Sequence, residues 1–371
     1  MKVFAIKGLD RPGGGAERVL VDVANGLAAR GHDIGVISYD QPHQQSFYPL
    51  DPSIAWVKLG IGRTDRPATL AETLARMSAL RRTVSSLNPA VVVGFLHSMF
   101  IPLGLSLLGT RIPVIASEHS APAHYETRPL EKALMRLTPW LTHRMTIVSD
   151  QLLAQYPDKQ RDNILVIPNP VSLAVMSRAN VVGSPGARKV LLSVGRLAAQ
   201  KDHATLLAAF ALIADEFPDW DLRIVGEGEL RPALQAQIEE LGLKRRIVLP
   251  GATSDVYSEY AAAQLFVLPS QYESLGLALI EALAHGLPAV GFADCPGVNQ
   301  LIQPGENGTL VSGVDRAAAL AGGLKPLMAD AMLRQQLVRS TSAIPDDCDL
   351  DDVIGRWEHA FAEIERRRSP L

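Results

Sequence analysis

Cysteine is nearly absent from this chain of 371 residues, which contains only Cys295 and Cys348. Two cysteines exclude a disulfide framework, supply no metal-ligand spacing and are typical of a reducing compartment. The sequence also lacks any run of about 18 apolar residues, the length of a membrane-spanning helix. Its most apolar stretch, residues 95–108, is interrupted by a histidine, a proline and a glycine. The first apolar run, residues 1–6, is too short for a secretory leader, so we expect a cytoplasmic protein, free or peripheral on the inner membrane.

An excess of basic residues is missing as well. The 36 Lys and Arg residues face 39 Asp and Glu residues, which gives a net charge of −3. This balance argues against a nucleic-acid partner, because phosphate binding requires a basic excess. Hydrophobic residues make up 47% of the chain and charged residues 20%, so a sizeable core is expected and global disorder is not. The length corresponds to about two to three domains.

Short β-rich runs alternate with longer helical patterns along the chain. This alternation predicts an α/β fold with parallel sheets and crossover helices, and it restarts at Lys189. We predict two Rossmann-like domains facing each other, with a ligand crevice at the carboxyl ends of both sets of strands. The two domains are expected at residues 1–170 and 171–351. A predicted helix at Asp352–Arg368 makes the C-terminal residues 352–371 a candidate to cross back to the first domain.

The individual elements follow from the hydrophobic pattern. The first domain has predicted strands at Lys2–Ile6, Ile34–Ser38, Val91–Gly94, Val114–Ala116 and Met145–Val148, and predicted helices at Glu17–Arg30, Ala68–Leu87 and Pro129–Leu141. The second has predicted strands at Val190–Gly195, Asp221–Val225, Ile247–Leu249, Leu265–Leu268 and Ala289–Phe292. Its predicted helices are His203–Phe217, Leu230–Leu241, Ser254–Ala263, Gly276–His285 and Arg316–Ala331. A stretch rich in small residues, Ser172–Arg188, is the predicted linker.

The glycine loop Gly13-Gly14-Gly15 lies between the first predicted strand and a helix. Glycines at this place allow backbone N–H groups to approach an anion at the positive end of the helix. The spacing is not that of the dinucleotide fingerprint, and no acidic residue ends the next strand, so a nicotinamide dehydrogenase is disfavoured. A tight turn without a ligand is the alternative.

Arg196 and Lys201 lie between a predicted strand and the next helix. Two cations at the rim of a parallel sheet can hold a diphosphate and neutralise it as it leaves. The alternative is an ordinary pair of solvated basic side chains.

Glu273 follows the predicted strand Leu265–Leu268, and Glu281 lies in the helix after it. On a continuous helix the two carboxylates would be about 12 Å apart. This is too far for two carboxylates that act on one glycosidic bond, but it suits one carboxylate on a sugar and one on a ribose. The alternative is an acidic loop followed by a helix with an apolar core face.

Five segments together resemble family 4 of the glycosyltransferases, which are retaining enzymes with the GT-B fold. They are GGGAERV…LAARGHDIGVIS, IPNPV, SVGRL…QKD, IVGEGEL and YESLGLALIEAL, the last with an E-x7-E pattern. The segments occur in the family's order and cover nearly the whole chain. The resemblance implies transfer of a hexose-type sugar from a nucleotide sugar to a saccharide acceptor. It also implies that residues 1–170 form the acceptor-binding domain and residues 171–351 the donor-binding domain.

The resemblance also implies roles for single residues. Arg196 and Lys201 match positions that bind the donor diphosphate, while Glu273 matches a residue that binds hydroxyls of the transferred sugar. His119, in the segment SEHS, matches a family histidine that contacts the donor sugar, although a lone histidine is more often structural. The remaining positions expected beside the donor are Gly14, Gly15, Gly195, Gly226, Glu227, Gly251, Ser274, Leu275, Gly276 and, on the ribose, Glu281.

The expected mechanism is a front-face displacement through an oxocarbenium-like state, in which a β-phosphate oxygen accepts the proton of the acceptor hydroxyl. No Asp-x-Asp motif follows a predicted strand, so we expect neither a metal nor another cofactor besides the nucleotide sugar. UDP-sugars are the commonest donors of the subgroup that SEHS and the stretch after it resemble, and GDP-mannose is the rival.

That stretch, HYETRPLEKALMRLTPWLTHR, carries Arg128, Lys132 and Arg136 at four-residue spacing, which stacks them on one face of a helix. The subgroup that it resembles assembles surface polysaccharides or oligosaccharides linked to polyprenyl diphosphate. The cations could therefore bind a lipid-linked diphosphate or anionic headgroups at the inner membrane. A solvated helix face with a core-packing leucine stripe is the alternative.

Two other functions use a similar fold. A nucleotide-sugar 2-epimerase also uses histidine and glutamate in its cleft, but the segment QYESLGLALIEA fits family 4 better. A non-catalytic subunit that binds nucleotide sugars would be free to lose the four residues Arg196, Lys201, Glu273 and Glu281, all of which this chain retains.

Overall fold

A parallel β-sheet forms the centre of each of the two units into which the chain divides. One unit comprises Met1–Pro170 with Asp347–Leu371, and the other comprises Val171–Asp346. The computed structural model describes residues 1–64, 66, 68–126, 128–171, 178–339 and 348–368. Part of the predicted linker, residues 172–177, lies outside these ranges. Helices connect most successive parallel strands in both units, which confirms the predicted α/β class with two Rossmann-like units.

The first unit has a seven-stranded sheet in the order β3-β2-β1-β4-β5-β6-β7. Its strands are β1 Lys2–Ala5, β2 Ile34–Ser38, β3 Ala55–Lys58, β4 Val91–Phe95, β5 Val114–Ser117, β6 Arg144–Ile147 and β7 Ile164–Val166. The strand order reverses between β1 and β4, and open α/β sheets bind ligands at such a reversal, beside the carboxyl ends of the strands. Two strands of this unit were not predicted, β3 and β7; both lie at the edges of the sheet and are only partly buried.

The helices of this unit up to Arg161 are α1 Gly15–Ala29, α2 Leu70–Leu87, α3 His97–Ser106, α4 Pro129–Met135, α5 Thr138–Leu141, α6 Asp150–Leu153 and α7 Asp158–Arg161. The predicted continuous helix at Pro129–Leu141 is wrong. Pro139 has no N–H with which to bond the carbonyl of Met135, so α4 ends at Met135 and α5 begins after a turn. Helix α3 was not predicted because its proline and glycine interrupt the apolar pattern.

The second unit has a six-stranded parallel sheet in the order β10-β9-β8-β11-β12-β13. Its strands are β8 Lys189–Val194, β9 Trp220–Val225, β10 Ile247–Gly251, β11 Leu265–Leu268, β12 Ala289–Phe292 and β13 Gly308–Val311. Its helices are α8 His203–Ala211, α9 Arg231–Glu240, α10 Val256–Ala262, α11 Leu277–Ala284, α12 Pro296–Asn299, α13 Arg316–Ala329 and α14 Ala331–Arg339. The order reverses between β8 and β11, so residues that follow these two strands meet at one edge of the sheet.

The C-terminal helix α15, Leu350–Arg368, packs in the first unit, as predicted. The rings of Trp357 and Phe361 lie 5.9 and 6.2 Å from the ring of Phe4 in β1. Arg30, at the end of α1, donates hydrogen bonds to the carboxylates of Asp351 and Glu358. Aromatic packing and ion pairs thus attach the end of the chain to its beginning. Across the described ranges, every helix is too short or too polar to traverse a lipid bilayer.

Candidate active site

The glycine loop of the first unit leads directly into helix α1. Gly13 has a φ of 75°, in the left-handed region that favours glycine, and Gly14 is the N-cap residue of α1. A Cβ atom on Gly14 would lie 2.0 Å from the Glu17 carboxylate, whereas one on Gly15 would meet no atom within 4 Å. Packing within the protein therefore does not explain Gly15, and its position at the positive end of α1 is suited to an anion.

His119 follows strand β5 and is held at both ring nitrogens. Its Nδ1 lies 3.1 Å from Oδ1 of Asn169, and its Nε2 lies 3.0 Å from Oγ of Ser117. The Phe95 ring stacks on the imidazole at 4.9 Å between centroids. Burial lowers the pKa of His119 to about 4, so the imidazole is neutral at physiological pH. A neutral ring can provide polar contacts, but it does not supply a positive charge.

A largely buried ion pair of the second unit joins Lys201 and Glu273. Lys201 ends a 3₁₀ helix after β8, and Glu273 lies in the loop after β11. Lys201 Nζ is 2.5 Å from Oε1 of Glu273, and the hydroxyl of Ser270 donates to the same oxygen at 2.6 Å. The carboxylate side chain is 8% exposed. Because β8 and β11 are neighbours in the sheet, two residues 72 positions apart meet at its carboxyl edge.

Arg196 follows β8 at the same edge and is exposed. Among the described residues, its guanidinium makes no hydrogen bond or ion pair to another side chain, so its charge is available to a ligand. Gly195 precedes it, and the backbone there approaches Gly226 closely. Gly226 has a φ of 149°, and a Cβ on it would lie 2.0 Å from the Gly195 carbonyl oxygen. Only glycine allows the ends of β8 and β9 to lie this close together.

Glu227 follows β9 and forms a two-pronged ion pair with Arg231, at 2.7 and 2.9 Å. Arg231 also donates to the carbonyl oxygen of Leu249 in β10, at 3.2 Å. A Cβ on Gly251, whose φ is 97°, would come within 3.0 Å of the Glu227 carboxylate. The predicted donor positions Gly226, Glu227 and Gly251 therefore form one cluster. The sequence analysis missed Arg231, although its four-residue distance from Glu227 on the chain is a usable signal.

The loop Ser274-Leu275-Gly276 connects Glu273 to helix α11, and its backbone amides lie at the positive end of that helix. Gly276 is the N-cap residue with a φ of 67°, and a Cβ on it would lie 2.6 Å from the Gly297 carbonyl oxygen. Because α11 begins only at Leu277, Glu273 and Glu281 do not share a helix. The separation of about 12 Å expected for a continuous helix therefore does not apply.

Glu281 lies inside α11 and is 2% exposed. The Tyr260 hydroxyl donates to its Oε2 at 2.8 Å, which offsets part of the cost of burying the carboxylate. Burial of this degree means that contact with a ribose hydroxyl would require the side chain to become accessible. The predicted ribose contact of Glu281 stays a prediction.

Profiles of known protein families match residues in both units of the chain. The profile of the family described as Glycosyltransferase Family 4 matches residues 13–175. The profile described as Glycosyl transferases group 1 matches residues 178–342. The chain belongs to the family 4 glycosyltransferases.

Two relatives resemble this glycosyltransferase along nearly its whole length. An uncharacterized glycosyltransferase of Haemophilus influenzae is 28% identical over 350 residues, which cover 93% of this chain and 95% of the relative. An α-1,4-N-acetyl-D-galactosaminyltransferase of Campylobacter jejuni is 26% identical over 356 residues, which cover 95% and 96%.

Solved structures show the same fold at lower identity. Sucrose-phosphate synthase from Thermosynechococcus elongatus has a TM-score of 0.81 at 18% identity, covering 99% of this chain and 100% of the other. WaaG, a glycosyltransferase involved in lipopolysaccharide biosynthesis, has a TM-score of 0.71 at 18% identity, covering 98% and 99%. These likenesses confirm the GT-B fold of the glycosyltransferase.

The basic stretch of the glycosyltransferase differs from the predicted ridge. Only Lys132 lies inside α4, because Arg128 is its N-cap residue and Arg136 its C-cap residue. All three side chains are exposed, and Arg128 lies 3.4 Å from the carboxylate of Glu131. The apolar residues nearby are not all core residues, since Leu130 is 73% and Trp140 is 76% exposed. The surface therefore combines exposed cations with exposed apolar side chains, rather than a solvated face over a buried leucine stripe.

Proposed function

We propose that this glycosyltransferase is a retaining enzyme that moves a hexose-type sugar from a nucleoside diphosphate sugar to a saccharide acceptor.

 The donor is a UDP-sugar, with GDP-mannose as the alternative, and the acceptor is linked to a polyprenyl diphosphate. The observation that carries the proposal is the Lys201–Glu273 ion pair beside the exposed Arg196, at the carboxyl ends of β8 and β11.

Each of these side chains has a distinct task in the proposed reaction. Arg196 and Lys201 neutralise the diphosphate as it leaves, since cations aimed at developing negative charge lower the barrier to transfer. Glu273 accepts hydrogen bonds from hydroxyls of the transferred sugar, and its contacts with Lys201 and Ser270 keep the carboxylate in place. The amides before α11 add hydrogen bonds to the diphosphate or the sugar.

Retention without a protein nucleophile follows from the same arrangement. A β-phosphate oxygen of the donor accepts the proton of the acceptor hydroxyl on the face from which the diphosphate departs. The new glycosidic bond then forms on that face, and the two cations hold the diphosphate in place. We propose that donor binding needs no divalent cation, because Arg196 and Lys201 supply the positive charge.

The lipid-linked acceptor and the membrane rest on two other observations. The Campylobacter jejuni relative is named for transfer to a glycan carried on undecaprenyl diphosphate. In this chain, Lys132 and Arg136 are exposed beside Trp140 and Leu130, a combination suited to anionic headgroups at a bilayer surface. We therefore propose peripheral attachment to the cytoplasmic face of the inner membrane through this surface.

Glu273→Gln is the variant that tests the proposed reaction. The glutamine keeps the shape of the side chain but removes the charge that sugar hydroxyls and Lys201 contact, so we expect turnover to fall about 100-fold or more. Turnover is measured as nucleoside diphosphate release with a panel of UDP- and GDP-sugars, and NMR of the product gives the anomeric configuration. The matched control is Glu259→Gln. It removes a carboxylate of α10 that forms an ion pair with Arg223.

Three outcomes would contradict this proposal. Turnover of Glu273→Gln equal to that of the control would remove Glu273 from the reaction. A product of inverted configuration would exclude retention. An epimerised nucleotide sugar in place of a transferred one would assign the chain to the epimerases.

A further inference from the structure

A cluster of two histidines and one glutamate lies in the first unit. His97 begins α3, His124 lies in the 3₁₀ helix Pro122–Tyr125, and Glu131 lies in α4. One ring nitrogen of each histidine and one carboxylate oxygen of Glu131 all lie within 4.8 Å of one another. Three separate elements thus direct metal-binding atoms at one point.

The distance between two of these atoms matches a metal site. His97 Nε2 is 3.3 Å from Oε2 of Glu131. In a tetrahedral zinc site with bonds of about 2.0–2.1 Å, neighbouring ligand atoms are about 3.3–3.4 Å apart. The side chains are half-buried, at 17% exposure for His97 and 33% for Glu131, so water screens them only in part.

A chain of hydrogen bonds determines the tautomer of His97, and therefore whether the nitrogen that faces Glu131 carries a proton or a lone pair. The Tyr125 hydroxyl donates to the buried carboxylate of Glu118 at 2.6 Å. The hydroxyl proton of Tyr125 points to Glu118. The hydroxyl oxygen therefore accepts a hydrogen bond from Nδ1 of His97, which lies 2.9 Å away. A neutral His97 with its proton on Nδ1 has a lone pair on Nε2. Two electron-pair donors, Nε2 and the Glu131 carboxylate, therefore face each other.

A cation between or beside its members stabilises such a pair. Arg128 lies 3.4 Å from Oε2 of Glu131, but its side chain is 49% exposed and gives His97 no partner. A metal ion would accept both lone pairs and that of His124 together. The Glu118–Tyr125–His97 chain then has the arrangement of an outer shell, in which a hydrogen-bonded partner orients a ligating histidine.

We propose that His97, His124 and Glu131 bind a divalent transition metal ion of the zinc class. Two imidazoles and one carboxylate suit Zn²⁺, whereas Mg²⁺ and Ca²⁺ prefer sites made of oxygen ligands. Three protein ligands leave a fourth position for water or an anionic oxygen. The ion joins the start of α3 to the 3₁₀ helix and α4, and so positions the basic residues that flank α4.

The test is direct measurement of metal binding by the full chain without an affinity tag. After treatment with a chelator, the protein is titrated with Zn²⁺ against a chromophoric competitor, and Co²⁺ serves as a probe because its visible absorption reports ligand geometry. We expect one equivalent of Zn²⁺ per chain and a tetrahedral Co²⁺ spectrum. Glu131→Gln and His124→Ala should each weaken binding by at least about 100-fold, since they remove a ligand. Tyr125→Phe, which leaves the ligands intact, should weaken binding by about 10- to 100-fold.

His43→Ala removes an exposed histidine outside the cluster and should leave the Zn²⁺ affinity unchanged. Circular dichroism of each metal-free variant shows whether it is folded, so that loss of the site is distinguished from loss of the unit. Absence of a stoichiometric Zn²⁺ site in the wild type, or equal affinity in Glu131→Gln and His43→Ala, would overturn the proposal. His97 and Glu131 would then share a proton instead of a metal.

Discussion

His119 is a buried imidazole whose two nitrogens are both committed to neighbours. The Thr146 hydroxyl donates to Oγ of Ser117 at 3.0 Å, so the Ser117 hydroxyl is directed to Nε2 of His119. Nδ1 then donates to the side-chain oxygen of Asn169. Burial lowers the pKa of His119 more than the hydrogen bond to Asn169 raises it, so the ring stays neutral. That hydrogen bond also gives Asn169, in the segment IPNPV, a role that no sequence pattern indicated.

The lowered pKa of His119 predicts a specific dependence of stability on pH. A histidine in the unfolded chain takes up a proton below about pH 6.5, whereas His119 in the folded unit does so only below about 4. Its contribution to the unfolding free energy is therefore complete above about pH 6.5 and is lost at about 1.4 kcal/mol per pH unit as the pH falls towards 4. Urea unfolding at about pH 7.5 and 5 should show a loss roughly 2 kcal/mol smaller in His119→Gln than in the wild type.

His43→Gln controls for the loss of a histidine, because His43 is exposed, and this variant should keep the pH dependence of the wild type. If His119→Gln lost stability on acidification as steeply as the wild type, the imidazole would not be held neutral by the fold.

At the scale of elements, the sequence predicts buried strands well and edge strands badly. The central strands β1, β4, β8 and β11 have continuous apolar runs, which the fold buries. The edge strand β3 is half exposed, so its residues carry no clear pattern. Helix ends were displaced where proline or a capping side chain decides them. For example, the Asp330 carboxylate accepts from the amides of Met332 and Leu333, which starts α14, so that α13 ends at Ala329 and not at the predicted Ala331.

The sequence identified residues of the candidate site but not the contacts between them. Lys201 and Glu273 were identified from separate motifs, and their ion pair depends on β8 and β11 being neighbours, which the local sequence does not encode. Arg76, a basic residue of the predicted helix Ala68–Leu87, proves to be buried. Its guanidinium donates to the carbonyl oxygens of Ile61 and Arg63, so this charge serves the fold and not a surface.

The surface around α4 and α5 carries a prediction about membrane binding. Each Lys or Arg close to an anionic bilayer contributes about 1 kcal/mol of binding free energy. The double variant Lys132→Glu with Arg136→Glu should therefore bind vesicles containing anionic lipid at least about 30-fold more weakly. Lys159→Glu, at an exposed position in α7, is the control, and sedimentation with vesicles is the measurement. Equal binding by the double variant and the control would exclude this surface.

At the scale of the whole molecule, the two units contain different residues of the proposed site. The first unit contains the glycine loop and His119, which the family resemblance assigns to the donor sugar, and the surface around α4, which we propose serves the lipid-linked acceptor. The second contains Arg196, Lys201 and Glu273, which we propose hold the donor. Loss of the metal site proposed for the first unit should leave donor binding in the second unit unchanged.

Calorimetric titration of the full chain with UDP and with GDP, in the presence of EDTA, tests the central claim most directly. We predict that one of the two nucleotides binds without a divalent cation, and that Arg196→Ala weakens its binding about 10-fold or more because a charged contact to the diphosphate is lost. The control is Arg188→Ala. Arg188 lies just before β8, is exposed and pairs with Asp221, so this variant should bind the nucleotide like the wild type. Failure of both nucleotides to bind, or equal affinity in Arg196→Ala and Arg188→Ala, would contradict the account.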